Sequence, residues 1–167
     1  MFKVNKVALL SICVAALLLA SGCSKELSQA EKEQILEDYK NEHYSASADL
    51  GDYEVEIKSV KQAVDHNGDS VIVVTYSWTN NSSDTRSAMT SLSCTAYQNG
   101  VSLDPAYGLD DSVYDSGLQM KDIKPGVTID VQDAFLLDGD STVEIEIQEW
   151  LTWDDNPPFA YMEFEPS

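Results

Sequence analysis

The run Val71-Ile72-Val73-Val74-Thr75-Tyr76-Ser77-Trp78-Thr79 leaves the chain little choice of conformation. It joins β-branched and aromatic side chains and contains no Gly, Pro or acid. Such side chains lose χ1 freedom in a helix and suit a pleated, half-buried surface. Ile72, Val74, Tyr76 and Trp78 alternate with Val71, Val73, Thr75 and Ser77, so one face is large and apolar and the other tapers to polar. That pattern predicts a central strand with its better face on a core. Asn80-Asn81-Ser82-Ser83-Asp84 ends it with turn residues.

Strand patterns and turn signals continue on both sides. Tyr53, Val55 and Ile57 alternate with Glu54, Glu56 and Lys58, and this strand runs on through Val60 and Val64. Asn67-Gly68 is a hairpin signal of the type I′ kind, which needs positive φ at both central residues. Ser87–Tyr97 reads as a strand, and Asn99-Gly100 turns it into Val101–Leu103. Residues 104–122 have no clear period and read as an irregular loop. Lys124-Pro125-Gly126 suits a type II turn. Val127, Ile129 and Val131 open the next strand, which runs to Leu137. Asp138-Gly139 is another hairpin signal, followed by alternating Val143, Ile145 and Ile147 and a short strand over 160–164. About seven strands with antiparallel turns and no helix between them predict an all-β fold, an immunoglobulin-like antiparallel β-sandwich. An eight-stranded barrel is the alternative.

Residues 1–22 have the layout of an export signal. Lys3 and Lys6 precede the apolar run Val7–Leu19, which is too short to span a bilayer, and Ala20-Ser21-Gly22 places small residues before Cys23. Leu19-Ala20-Ser21-Gly22-Cys23 resembles the lipobox of bacterial lipoproteins, with Ala20 where that motif usually has Leu. The resemblance implies cleavage between Gly22 and Cys23, acylation of Cys23 (palmitate-type chains on a diacylglyceryl thioether) and anchoring on the outer face of the cytoplasmic membrane. Two or more acyl chains give stable anchoring.

The expected domain plan is a signal peptide at 1–22, a tether and short helix at 23–52, and the sandwich at 53–167. Ser28-Gln29-Ala30-Glu31 has the capping-box pattern, and good helix formers follow to Glu42. Ile35, Leu36 and Tyr39 form a narrow apolar stripe, suited either to docking on the domain or to a solvated spacer. Residues 43–52 read as linker.

Three stretches, Val73–Ser82, Ala96–Leu103 and Ile123–Ile129, carry a second likeness. In order behind a lipobox they resemble a family of immunoglobulin-like domains, of uncharacterised function, in lipoproteins of Gram-positive bacteria. That resemblance implies fold and location and brings no catalytic residues.

Composition narrows the function. The whole chain carries a formal charge of −19. Lys3 and Lys6 fall in the leader and no acid does, so the remainder carries −21. Nucleic acid and an anionic bilayer surface are poor partners for it. Cys13 leaves with the leader and Cys23 is lipidated, so Cys94 has no disulfide partner and the fold must rest on its core. No G-x-S-x-G, P-loop, G-x-G-x-x-G, H-E-x-x-H or paired C-x-x-C occurs, and no enzyme activity or cofactor is expected. Two ligand surfaces are candidates. Trp150, Trp153, Asp154, Asp155 and Tyr161 set aromatics beside acids, a pattern that either binds a ligand or caps the open end of a sandwich core. Asp104, Asp110, Asp111 and Asp115 offer oxygen ligands for calcium without EF-hand spacing, or form a solvated acidic loop. The expected role is a lipid-anchored extracytoplasmic binding or adaptor module that recognises an envelope or extracellular protein. The alternative is a solute- or calcium-binding lipoprotein using residues 104–115.

Overall fold

A computed structural model of the chain describes residues 28–154 and 157–167. The leader, Gly22 and Cys23, and Asp155 lie outside the described residues. The chain divides into two compact units, 1–43 and 44–167.

In the first unit α1 spans Gln29–His43. Its start is the capping box expected from the sequence. The Ser28 N–H and hydroxyl both donate to Glu31 Oε2 at 2.8 Å, and the Glu31 N–H donates to Ser28 Oγ at 3.3 Å. The two bonds donated by Ser28 hold the Glu31 carboxyl below its ordinary pKa. Gln29–Glu33 and Gln34–Asp38 pairs, four residues apart, add surface support.

The second unit is the sandwich. Its strands are β1 (Ser47–Asp49), β2 (Tyr53–Val64), β3 (Ser70–Asn80), β4 (Leu92–Gln98), β5 (Val101–Ser102), β6 (Thr128–Leu136), β7 (Val143–Glu149) and β8 (Phe159–Phe164). One sheet has the order β1-β2-β3-β6 and the other β5-β4-β7-β8, all pairs antiparallel. The chain changes sheet between β3 and β4, β5 and β6, and β6 and β7. This is the Greek-key crossing pattern of immunoglobulin-type sandwiches. β3 is central, as its composition predicts, and Ile72, Val74, Tyr76 and Trp78 enter the main core with Ile145, Ile147 and Val131.

β2 shows how sequence parity meets the sheet. Tyr53, Val55 and Ile57 point inward, and a register shift between Ile57 and Ser59 then lets Val60 point inward as well. Without that bulge the extra residue would turn Val60 to the outside.

Four expectations need correction. First, the 43–52 stretch is not all linker: Ser47–Asp49 pairs with β2, Ser45 O accepts the Tyr161 N–H at 2.7 Å and Ala46 O accepts the Ile57 N–H at 2.8 Å. This segment therefore touches both sheets and covers part of the β8 edge. Second, Asn67-Gly68 is not a type I′ turn, because only Gly68 has positive φ. Asp65 takes over instead: its carboxylate accepts the N–H of Asn67 and of Asp69, forming a type I turn with a bulge at Gly68. Asn99 and Gly100 both have positive φ and do make the I′ hairpin. Third, Asp138-Gly139 carries the chain from β6 to the opposite sheet rather than into a hairpin. Buried Gln98 holds that crossing, donating to the carbonyls of Gly139 and Ser141 and accepting from the Asp138 N–H. Fourth, Ala88–Ser91 forms one helical turn, α2, before β4 begins.

The 104–122 segment is irregular as expected, but it is built into the fold. Asp104 and Ala106 bond to Leu136 and Ala134 along the edge of β6. Ala106, Leu109 and Tyr114 then cover Val71, Val73 and Ala134, making a second apolar layer on the outer face of that sheet. A 3₁₀ turn at Ser116–Met120 follows, with Asp115 accepting the Gly117 N–H at its start.

Candidate functional site

One strand position breaks the core pattern. Ile129, Val131 and Phe135 of β6 face the core, and Asp133 shares their parity. Its register partner Val74 is also a core residue. A carboxylate is thus aimed between the two sheets. Tyr76 Oη donates to Asp133 Oδ2 at 2.8 Å, and Gln119 Nε2, from the 3₁₀ turn, donates to Asp133 Oδ1 and to the Gln132 carbonyl. Cys94, inward-facing on β4 and paired with Ile147, approaches from the opposite sheet. A cavity of about 170 Å³ opens here, lined by these four residues together with Ala88, Met89, Leu92, Ser93 and Trp150.

Burial sets the electrostatics. It pushes the Asp133 carboxyl above the ordinary value of 3.8, against the bonds from Tyr76 and Gln119, which lower it. Burial, then the nearby Asp133 carboxylate, raises the Tyr76 phenol and the Cys94 thiol well above their usual ranges. Tyr114 is pushed up to about 12 by the same two causes in the same order. A thiol held protonated in this way is a weak nucleophile.

Asp133 also has a pH signature. Its raised value means the fold holds the proton more tightly than the unfolded chain does. The stability this adds is full below pH 3.8 and is lost as pH rises through the higher folded value. Asp133→Asn does not titrate. Wild type should therefore lose stability relative to Asp133→Asn between acid and neutral pH, read from urea unfolding of both proteins across that range. A difference that is flat with pH would contradict the assignment.

The residues singled out from the sequence are divided among different places. Trp150 follows β7, and its N–H donates to Ser91 O at 2.9 Å, which brings it to the cavity mouth. Leu151 and Trp153 lie beyond it, both strongly exposed, and Asp154 follows with its N–H on Thr152 Oγ1. Trp153 does not cap the core. Its replacement by Ala should change the stability by no more than about 0.5 kcal/mol, as for other surface positions, and thermal unfolding checks this. Tyr161 belongs to another cluster: it packs against Tyr44 with ring centroids 4.5 Å apart and donates to Glu163, and burial raises its phenol.

The four loop aspartates do not converge either. Asp110 accepts the Ser112 N–H and Asp115 the Gly117 N–H, so both close turns, while Asp104 meets β6 through its backbone. Among the described residues no group of three or more His, Cys, Asp or Glu is placed to hold a metal ion. Gln119 and Asp133 were not singled out from the sequence, where Tyr76 was read only as a core-face residue and Cys94 only as a lone cysteine. The available signal was Asp133, an acid at a core-parity position of an otherwise alternating strand.

The two crossed sheets define the chain as an immunoglobulin-like β-sandwich. Within that class it belongs to the DUF5067 family, a domain of unknown function, whose model matches residues 26–149. Solved structures share the fold. A candidate lipoprotein from Staphylococcus aureus is 16% identical with a TM-score of 0.57, over 73% of this chain and 89% of that one. A candidate lipoprotein from Bacillus subtilis is 17% identical with a TM-score of 0.56, over 74% of this chain and 39% of that one. A protein from Enterococcus faecalis is 18% identical with a TM-score of 0.50, over 75% and 93%. No curated protein matches the chain. Among the described residues no helix is long and apolar enough to cross a membrane.

Proposed function

We propose that this protein is a lipid-anchored, extracytoplasmic recognition module that acts by binding an envelope or extracellular protein rather than by catalysis. The observation that carries this reading is the set of exposed apolar side chains at the inter-sheet cavity and next to its lining residues in the chain. Met89, Met120, Trp150 and Leu151 are all half-exposed or more, on a chain whose formal charge is −19. Met89 and Trp150 line the cavity, and Met120 and Leu151 follow the lining residues Gln119 and Trp150 in the chain. Exposed apolar and aromatic side chains are what binding surfaces use for anchor contacts. The lipobox-like Leu19–Cys23 supports the anchoring, and the lipoprotein descriptions of the structural neighbours agree with it.

Two measurements test the two halves. Cys23→Ser should move the protein from the membrane fraction to the soluble fraction; unchanged fractionation ends the lipid anchor. A photo-crosslinking residue at Leu151, on intact cells, should yield a discrete adduct that the same residue at Glu56, on the outward face of β2, does not. Matching adducts at both positions, or none at either, would count against the mouth as a recognition surface.

A further inference from the structure

We propose that the inter-sheet cavity is a recess for one cationic group on an apolar stem, supplied by the bound protein as a lysine or arginine side chain. This deepens the recognition reading and rests on it.

The recess holds one buried carboxyl group, that of Asp133. Each Asp133 carboxylate oxygen accepts one hydrogen bond, from Tyr76 and from Gln119. Both donors are neutral, and an ionised carboxylate has about four lone-pair sites, so accepting capacity is left over. No ion pair reaches Asp133 among the described residues, where Lys58 pairs with Asp130 and Arg86 with Asp84. A carboxylate taken out of water without a counter-charge is costly, and an entering ammonium or guanidinium offsets that cost directly. Burial has already moved its protonation in the direction an uncompensated carboxylate shows.

The lining includes a place for the stem. Ala88, Leu92, Met89 and Trp150 contribute apolar and aromatic groups to it, beside the polar Ser93, Gln119 and Asp133. Long cationic side chains lay their methylene stems along such surface, and aromatic rings attract the charged head. The volume of about 170 Å³ resembles the roughly 150 Å³ apolar cavity that takes a benzene molecule, so a side chain fits and a whole peptide does not.

Other occupants fit less well. An anion meets the Asp133 charge. A neutral sugar leaves that charge uncompensated. A metal ion finds one carboxylate and a protonated thiol, with no converging group of three ligands among the described residues.

The test uses the full-length protein in non-ionic detergent, labelled with nitrogen-15. The probes are n-pentylammonium chloride and its uncharged analogue pentan-1-ol. Pentylammonium should move the Trp150 indole and Gln119 side-chain amide resonances saturably, and pentan-1-ol should move them far less. Asp133→Asn should weaken pentylammonium binding roughly tenfold, a loss of about 1.4 kcal/mol, near the low end for hydrogen bonds to charged groups. Glu54→Gln, an acid on the outward face, should leave it unchanged. The two-probe comparison on wild type stands even if a variant folds poorly. Equal binding of the two probes, no binding of either, or an unchanged affinity in folded Asp133→Asn would overturn the recess. The Leu151 adduct distinguishes the failures: with the adduct present, only the cation chemistry falls. Pentylammonium binding without an adduct would keep the cation recess and remove its assignment to a protein partner.

Discussion

Trp78→Ala is expected to cost about 3–5 kcal/mol, the range for removing a large aromatic from a packed core. Trp78 has no exposed surface and lies near the C-terminal end of β3, between Val55 of β2 and Ile129 of β6. Its ring meets Tyr53 at 5.9 Å and 59°. A domain of ordinary stability has about 5–15 kcal/mol in all, so this one truncation takes a large share of it. Among the described residues no disulfide compensates, because Cys94 is free. The indole N–H has no hydrogen-bond partner, so the residue stabilises through area and contact rather than through its polar edge. That gives the prediction a control: Trp78→Phe keeps most of the ring contact, removes an unpaired donor, and should cost much less than Ala. Urea midpoints with unchanged slopes would measure both. Equal losses for Phe and Ala would show that the indole polar group matters after all.

Asn80→Ala should cost about 1–3 kcal/mol through a different mechanism, that of buried polar groups left without partners. Asn80 is fully buried at the end of β3. Its Nδ2 donates to the carbonyls of Asp84 and Ile123, and its Oδ1 accepts from the N–H and hydroxyl of Ser82. Its backbone receives the Gly126 N–H and donates to Val127 O, so the same residue fastens the type II turn at Lys124–Val127. Asn80→Asp keeps the acceptor and loses the donor pair, while adding a buried charge, and should be no better than Ala at neutral pH. A thermal shift for Asn80→Ala as small as that of an exposed residue would refute this reading of the hub.

The two variants mark what was legible along the chain. Trp78 was placed on a core face by parity alone, because strand side chains alternate whatever the rest of the fold does. Asn80 read as a turn residue; it is the last residue of β3, and its side chain closes the turn by accepting the Ser82 N–H. That it is also a buried hub depends on Ile123 and Gly126, far along the chain, and no local pattern signals such a bond. The same divide runs through the candidate sites. Trp150 and Trp153 stood out as aromatics beside acids, but only packing separates a half-exposed Trp150 at the cavity wall and a fully exposed Trp153 from Tyr161 on β8.

Local physics in the sequence alone determined the strand faces, the helix start at Ser28, and the turns at Asn99-Gly100 and Pro125-Gly126. Each follows from side-chain alternation, capping or a φ that only certain residues tolerate. Tertiary structure decided which sheet each strand joins, so Asp138-Gly139 became a crossing rather than a hairpin. It also folded residues 104–122 onto the outside of one sheet and turned Asp133 from an oddity in an alternating run into the floor of a cavity. These outcomes depend on contacts between residues distant in sequence, whose free energy exists only once both sheets are in place.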